Sequence, residues 1–198
     1  MNEQTELQRK GQAAKQASRK LAVLDTNTKN KALMAMADAL LANQEAILAA
    51  NEIDLMSAEA KGTSKALMDR LRLTDKRLAD MAEGLRQIAA LPDPIGEGVD
   101  AFCRPIGLEI RIVRVPFGVI GIIYEARPNV TADAAGLCLK SGNAVMLRGG
   151  SEAINSNIAV IETLAEAAYE NGIPEGTFQF FDDRSCCRQR DAETQPIP

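Results

Sequence analysis

A chain of 198 residues that is 46% hydrophobic and 25% charged has enough apolar material to bury one sizeable core, about one and a half domains. Its net charge of −4, with basic residues scattered along it, gives no mark of a nucleic-acid groove or a polybasic membrane anchor, and neither partner is expected. There is no histidine, which excludes every mechanism that needs an imidazole: a Ser-His or Cys-His pair, a His-ligated zinc, a histidine general base.

The opening segment, MNEQTELQRKGQAAKQASRKLAVL, is polar and lacks the apolar run of a secretion signal, and no later window reaches a membrane span. A cytoplasmic protein is expected. The four cysteines, Cys103, Cys138, Cys186 and Cys187, lack metal-ligand spacing, and no metal site is expected. The adjacency of the last two disfavours ordinary disulfide geometry, so reduced thiols are expected.

The first ninety or so residues carry helical spacing. Ala14, Ala17, Leu21 and Leu24 form one apolar stripe, and Leu33, Met36, Ala37, Leu40, Leu41, Ile47 and Leu48 read as a second, uninterrupted one. Thr63 is placed to cap a short helix carrying Leu67, Met68 and Leu71, and Thr74 one carrying Leu78, Met81, Leu85 and Ile88. These stripes are assigned to core packing. At LPDPIGEGVD, Leu91 to Asp100, prolines and glycines break the helical pattern and mark a boundary. LEIRIVRVPFG then alternates apolar and charged residues, as in a ribbon strand with one wet face.

From Phe117 the texture is strand, helix, strand, helix, strand. GVIGIIYE is a continuous apolar run suited to a strand covered on both faces, Pro128 to Lys140 has helical spacing at Ala132, Ala135 and Leu139, and AVMLR is a second such strand. A helix capped by Ser151 runs through Ile154, Ile158, Ile161, Leu164 and Ala168 to the stop at Asn171-Gly172, and GTFQFF is a third strand. This alternation predicts an α/β fold with a parallel sheet, its ligands beyond the carboxyl ends of the strands. YEARPN and RGGSE both fall at such ends. Glycines there let a ligand approach the backbone, and the following helix start suits an anion; a flexible strand-to-helix junction with a solvated Arg148 explains the same residues without a ligand. The division expected is 1–96 helical, 97–116 β-ribbon, 117–183 a partial Rossmann-like cofactor domain, and 184–198 a polar, aperiodic tail expected to be disordered.

The stretch VPFGVIGIIYEARPNVTADAAGLCLKSGNAVMLRGGSEAINSN resembles the gamma-glutamyl phosphate reductases (glutamate-5-semialdehyde dehydrogenases), a branch of the aldehyde dehydrogenase superfamily. GQAAKQASRKLA, LMDRLRLTDKRLADMAEGLRQIAALPDPIGE and NGIPEGTFQ extend the likeness from about Lys10 to Asp183. The resemblance implies an aldehyde dehydrogenase-like fold and NADPH-dependent reduction of L-glutamyl 5-phosphate to L-glutamate 5-semialdehyde and phosphate, a step of proline biosynthesis. It also implies a small-molecule substrate and a homo-oligomer in the full-length family. The family's nucleophilic cysteine lies in a motif resembling RPSTCNT, which has no counterpart here, so the chain reads as a C-terminally truncated form. The alternative is a catalytically inactive fragment that retains at most nucleotide binding or subunit association.

By the same resemblance Arg148 meets the adenosine ribose or its 2′-phosphate, with Gly149, Gly150 and Ser151 presenting the backbone. Glu152 bonds a ribose hydroxyl or merely favours the helix start. Tyr124 and Glu125 line the nicotinamide side. Asn129 is the candidate oxyanion donor, and Arg127 holds the substrate's phosphate or carboxylate or pairs with Glu125. Cys103, Cys138, Cys186 and Cys187 are assigned structural or incidental roles.

Overall fold

The computed structural model describes residues 6–182; Cys186, Cys187 and the 184–198 tail lie outside them. Helix α1, Glu6–Leu21, buries Ala14, Ala17, Ser18 and Leu21 along one face, and its Lys10 Nζ donates to Phe180 O at 2.6 Å. The second apolar stripe is two helices, α2 (Thr26–Ala42) and α3 (Gln44–Ala60), which meet at 67°. The break falls at Asn43, whose backbone N–H and Nδ2 both donate to Ala39 O at 3.0 Å and close α2 there, although the apolar spacing continues across it. Among the described residues no single helix is long and apolar enough to cross a membrane.

Ser64 rather than Thr63 caps α4 (Lys65–Leu71), its Oγ accepting from Leu67 N at 3.4 Å; Leu71 is buried there while Leu67 is exposed. Thr74 caps α5 (Asp75–Ala90) as predicted, accepting from Arg77 N at 3.2 Å. After a turn, β1 (Gly98–Cys103) and β2 (Glu109–Val113) pair antiparallel. Both faces of this hairpin are wet, where one was expected, since only Ile110 is even half-buried.

The remaining chain is the predicted alternation: β3 (Val119–Ile123), α6 (Pro128–Lys140), β4 (Ala144–Arg148), a 3-10 turn (Ser151–Ala153), α7 (Ile154–Glu170) and β5 (Phe178–Phe180). The strands form a parallel sheet in the order β3-β4-β5. β4 is central and largely buried. β3 is an edge with Gly121 and Ile123 exposed, which corrects the strand expected to be covered on both faces. Asn143 aligns the strand starts, accepting from Gly118 N at 2.8 Å and donating to Ser141 O at 2.9 Å.

One core joins the helices to the sheet. Leu33, Met36 and Leu40 of α2, Leu78 and Leu85 of α5, Leu139 of α6, Val145 and Leu147 of β4 and Leu164 of α7 all belong to it. Each such side chain contributes about 1.5–3 kcal/mol of burial. α5 and α6 meet at Gly136, where a Cβ would stand 2.7 Å from Leu85 Cδ2, so the helices pack as closely as they do only because no side chain intervenes.

Candidate functional site

The site lies where β3 and β4 end. The last bond between them runs from Tyr124 N to Arg148 O at 3.1 Å, after which the chains separate into Glu125–Arg127 and Gly149–Ser151. Tyr124 is half-buried and tied to the protein: its hydroxyl lies 2.6 Å from Thr131 Oγ1, which donates to Asn157 Oδ1 at 3.0 Å. The Thr131 proton is committed to Asn157, so Tyr124 is the donor of the first bond. Burial pushes the Tyr124 phenol up to about 12, keeping it a donor.

The two glycines meet protein atoms. A Cβ on Gly149 would stand 2.2 Å from Asn157 Nδ2 and 3.2 Å from Tyr124 Cε2, and one on Gly150 would stand 2.9 Å from Glu152 Oε2 and 3.2 Å from Ala126 N. At Gly149 the close approach of Asn157 from α7 and of the Tyr124 ring accounts for glycine without a ligand, while at Gly150 the nearest atom is the end of the flexible Glu152 side chain, with the Ala126 nitrogen next.

Ser151 does not cap the following helix. It opens the 3-10 turn, and α7 begins at Ile154 with no side-chain cap of its own. The cap comes from α3: Asp54 accepts from Asn155 N at 3.2 Å and Asn155 Nδ2 at 2.7 Å through Oδ1, and from Ser156 N at 2.7 Å through Oδ2. A buried carboxylate already satisfies the donors that an incoming anion was expected to use. Next to it, Asn51 donates to Leu71 O (2.9 Å) and Ser156 Oγ (3.0 Å) and accepts from Leu73 N (2.8 Å), fixing the end of α4 against α7.

Two adjoining cavities open at these strand ends. The first, of ≈ 480 Å³, is lined by Thr63, Leu67, Arg70, Glu125, Gly150 and Glu152, among others. The second, of ≈ 410 Å³, is lined by Arg72, Arg77, Asp80, Asn129 and Asp133, among others. Arg70 and Arg127 line both and so stand on the divide. Of the predicted residues, Glu125, Arg127, Gly150 and Glu152 therefore come together, and Asn129 joins Arg127 in the second cavity. Arg148 ends β4 with its side chain exposed, Ser151 is exposed, Gly149 is buried, and Tyr124 faces Thr131. Glu125 is 3.9 Å from Arg70, an exposed pair of small energetic worth. The α4 wall, with Arg70, went unnoticed in the sequence, where nothing relates Arg70 to a strand end more than fifty residues away.

Cys138 is buried in α6, where burial pushes its thiol up to about 11 and holds it protonated; Cys103 is exposed on the hairpin. Among the described residues no group of three or more His, Cys, Asp or Glu is placed to hold a metal.

The aldehyde dehydrogenase family model matches residues 1–187. The gamma-glutamyl phosphate reductase of Caldanaerobacter subterraneus is 60% identical over 90% of this chain, which covers 43% of that protein. The crystal structure of gamma-glutamyl phosphate reductase from Thermotoga maritima superposes with a TM-score of 0.87 at 44% identity, covering 89% of this chain and 42% of that one. The Saccharomyces cerevisiae enzyme of the same name superposes at 0.85 with 31% identity, over 92% of this chain and 47% of that one. The chain thus spans less than half the length of these relatives.

Proposed function

This chain belongs to the aldehyde dehydrogenase family, whose members use nicotinamide dinucleotides and act on small molecules, and on that premise we propose that it forms the dinucleotide-binding part of an NADPH-dependent reductase. The reaction proposed is conversion of L-glutamyl 5-phosphate to L-glutamate 5-semialdehyde and phosphate, the chemistry that its relatives' names point to. The observation that carries the reading is the convergence of Glu125, Arg127, Gly150 and Glu152 on one cavity beyond the carboxyl ends of parallel strands. In open parallel sheets that is where ligands bind.

The strand ends fit the adenosine end of the cofactor. Arg148, an exposed cation closing β4, is suited to a 2′-phosphate because its planar fork binds one bidentately, and Glu152 is suited to a ribose hydroxyl. They do not offer the start of α7 to the diphosphate, because Asp54 holds those donors. When bound, NADPH supplies the hydride. Tyr124 and Glu125 border the nicotinamide side in this reading, while Arg127 holds the substrate's anionic group and Asn129 is the oxyanion donor on the neighbouring wall. A cytoplasmic location and assembly as a homo-oligomer, without nucleic-acid or membrane partners, go with it.

A second reading, a module that binds nucleotide without catalysis, is favoured by the described thiols: Cys138 is buried and held protonated, and Cys103 lines neither cavity. Two measurements on the purified chain separate these. NADPH should perturb the amide resonances of Glu125, Gly150 and Glu152; their silence would contradict both readings. Turnover of L-glutamyl 5-phosphate, with contaminating full-length enzyme excluded, supports the reductase and defeats the inert module.

A further inference from the structure

The second cavity holds charges that the reading above does not use. Arg77 and Asp69 satisfy each other, Arg77 Nη2 lying 3.1 and 3.2 Å from the two carboxylate oxygens while Nη1 bonds the Asp69 and Arg72 carbonyls. Asp133 is different. It is half-buried on α6 and faces α5 at Gly84, where a Cβ would stand 3.7 Å from its Oδ1. Among the described residues no cation lies within ion-pair distance of Asp133, and no carboxylate within that distance of Arg127. Burial raises the Asp133 carboxyl above the usual range, as expected of an acid whose counter-charge is missing. Asn129, four residues earlier, shares its helix face, and Arg127 lies about 9 Å back along the axis. Arg72 and Asp80 on the same lining are likewise without an ion-pair partner among the described residues but are exposed to solvent, whereas Asp133 is half-buried. A half-buried, uncompensated carboxylate with the Arg127 guanidinium some distance away is complementary to a ligand that carries an ammonium and, farther along, an anion.

We infer that this cavity takes the amino-acid end of the substrate, with Asp133 accepting the α-ammonium group and Arg127 facing an anionic end. The inference rests on the substrate reading above and adds the residue that tells a glutamyl group from a plain dicarboxylate.

The test titrates the chain with L-glutamate and with glutarate, which has the same carbon skeleton without the ammonium, followed by ¹H–¹⁵N spectra. L-Glutamate should shift the resonances of Gly84, Asn129 and Asp133 with an affinity roughly tenfold above that of glutarate, the worth of one charge-assisted hydrogen bond. Asp133→Asn should abolish that difference and leave the response to NADPH unchanged. Equal responses to the two ligands, including none to either, overturn the inference without recourse to any variant, as does a preference that survives in Asp133→Asn. NADPH titrated separately keeps the two readings apart. Cofactor binding without a glutamate preference sinks this inference alone, and a glutamate preference without cofactor binding sinks the dinucleotide reading alone.

Discussion

Asp54 and Ser156 are 102 residues apart in sequence, yet Asp54 Oδ2 accepts from both the backbone nitrogen of Ser156, at 2.7 Å, and its hydroxyl, at 2.5 Å. A carboxylate from α3 therefore does for α7 what a local cap does for most helices, and in doing so joins the N-terminal helices to the strand-end turn that carries the site.

Replacing Asp54 with alanine should cost about 3 kcal/mol, because it strands buried donors at the start of α7 as well as removing their acceptor. Asp54→Asn, which keeps one carbonyl oxygen, should lose less. Urea unfolding checks this: the midpoint should fall in the order wild type, Asn, Ala, with the slope unchanged. A midpoint for Asp54→Ala equal to that of wild type would show that the cap carries no load.

Acid should weaken the contact between α2 and the loop after α5. Burial works to raise the Asp93 carboxyl, but its bonds to Lys29, to Ile95 N at 3.0 Å and to Thr26 Oγ1 at 2.8 Å outweigh that and hold it below the usual range. A carboxylate whose folded pKa is depressed stabilises the fold at pH values above its unfolded pKa of about 3.9, and the benefit is lost as pH falls through the lower folded value. The thermal midpoint of wild type should therefore drop more steeply below about pH 4 than that of Asp93→Asn. Parallel curves would contradict the assignment.

Gly149→Ala should destabilise by about 2 kcal/mol, since the new methyl meets Asn157 and the Tyr124 ring. Gly121→Ala on the exposed edge strand meets nothing within 4 Å and should be neutral or slightly stabilising. Thermal unfolding of the pair distinguishes a glycine required by packing from one that is not. If Gly149→Ala is as stable as Gly121→Ala, the close approach of Asn157 and the Tyr124 ring to Gly149 is misjudged.

What was legible in the sequence was whatever local chemistry decides. Helix α6 begins at Pro128 and ends at Lys140 as read, because proline is preorganised for the first helical position and Ser141-Gly142-Asn143 cannot continue the pattern. The parallel sheet followed from the alternation of AVMLR and its neighbours with helices. What was not legible depends on partners distant in the chain. An apolar run such as GVIGIIYE has the same appearance whether its strand is central or, as here, at an edge. The break at Asn43 was hidden because the apolar spacing carries on through it. Ser151 has the chemistry of a cap but is displaced by a 3-10 turn, and nothing near Asp54 announces its partner. In the candidate site, the strand-end residues were proposed because topology places ligands there, whereas Arg70 and Asp133, brought to the cavities on α4 and α6, gave no comparable signal.

The central claim is that the end of β4 receives the adenosine phosphate of a dinucleotide, and calorimetric titration of wild type and Arg148→Ala with NADPH and NADH tests it most directly. The account predicts that wild type binds NADPH more tightly than NADH and that the variant loses roughly tenfold in affinity for NADPH while its affinity for NADH is little changed. Equal affinity for the two cofactors in wild type, or a preference untouched by the substitution, would contradict it.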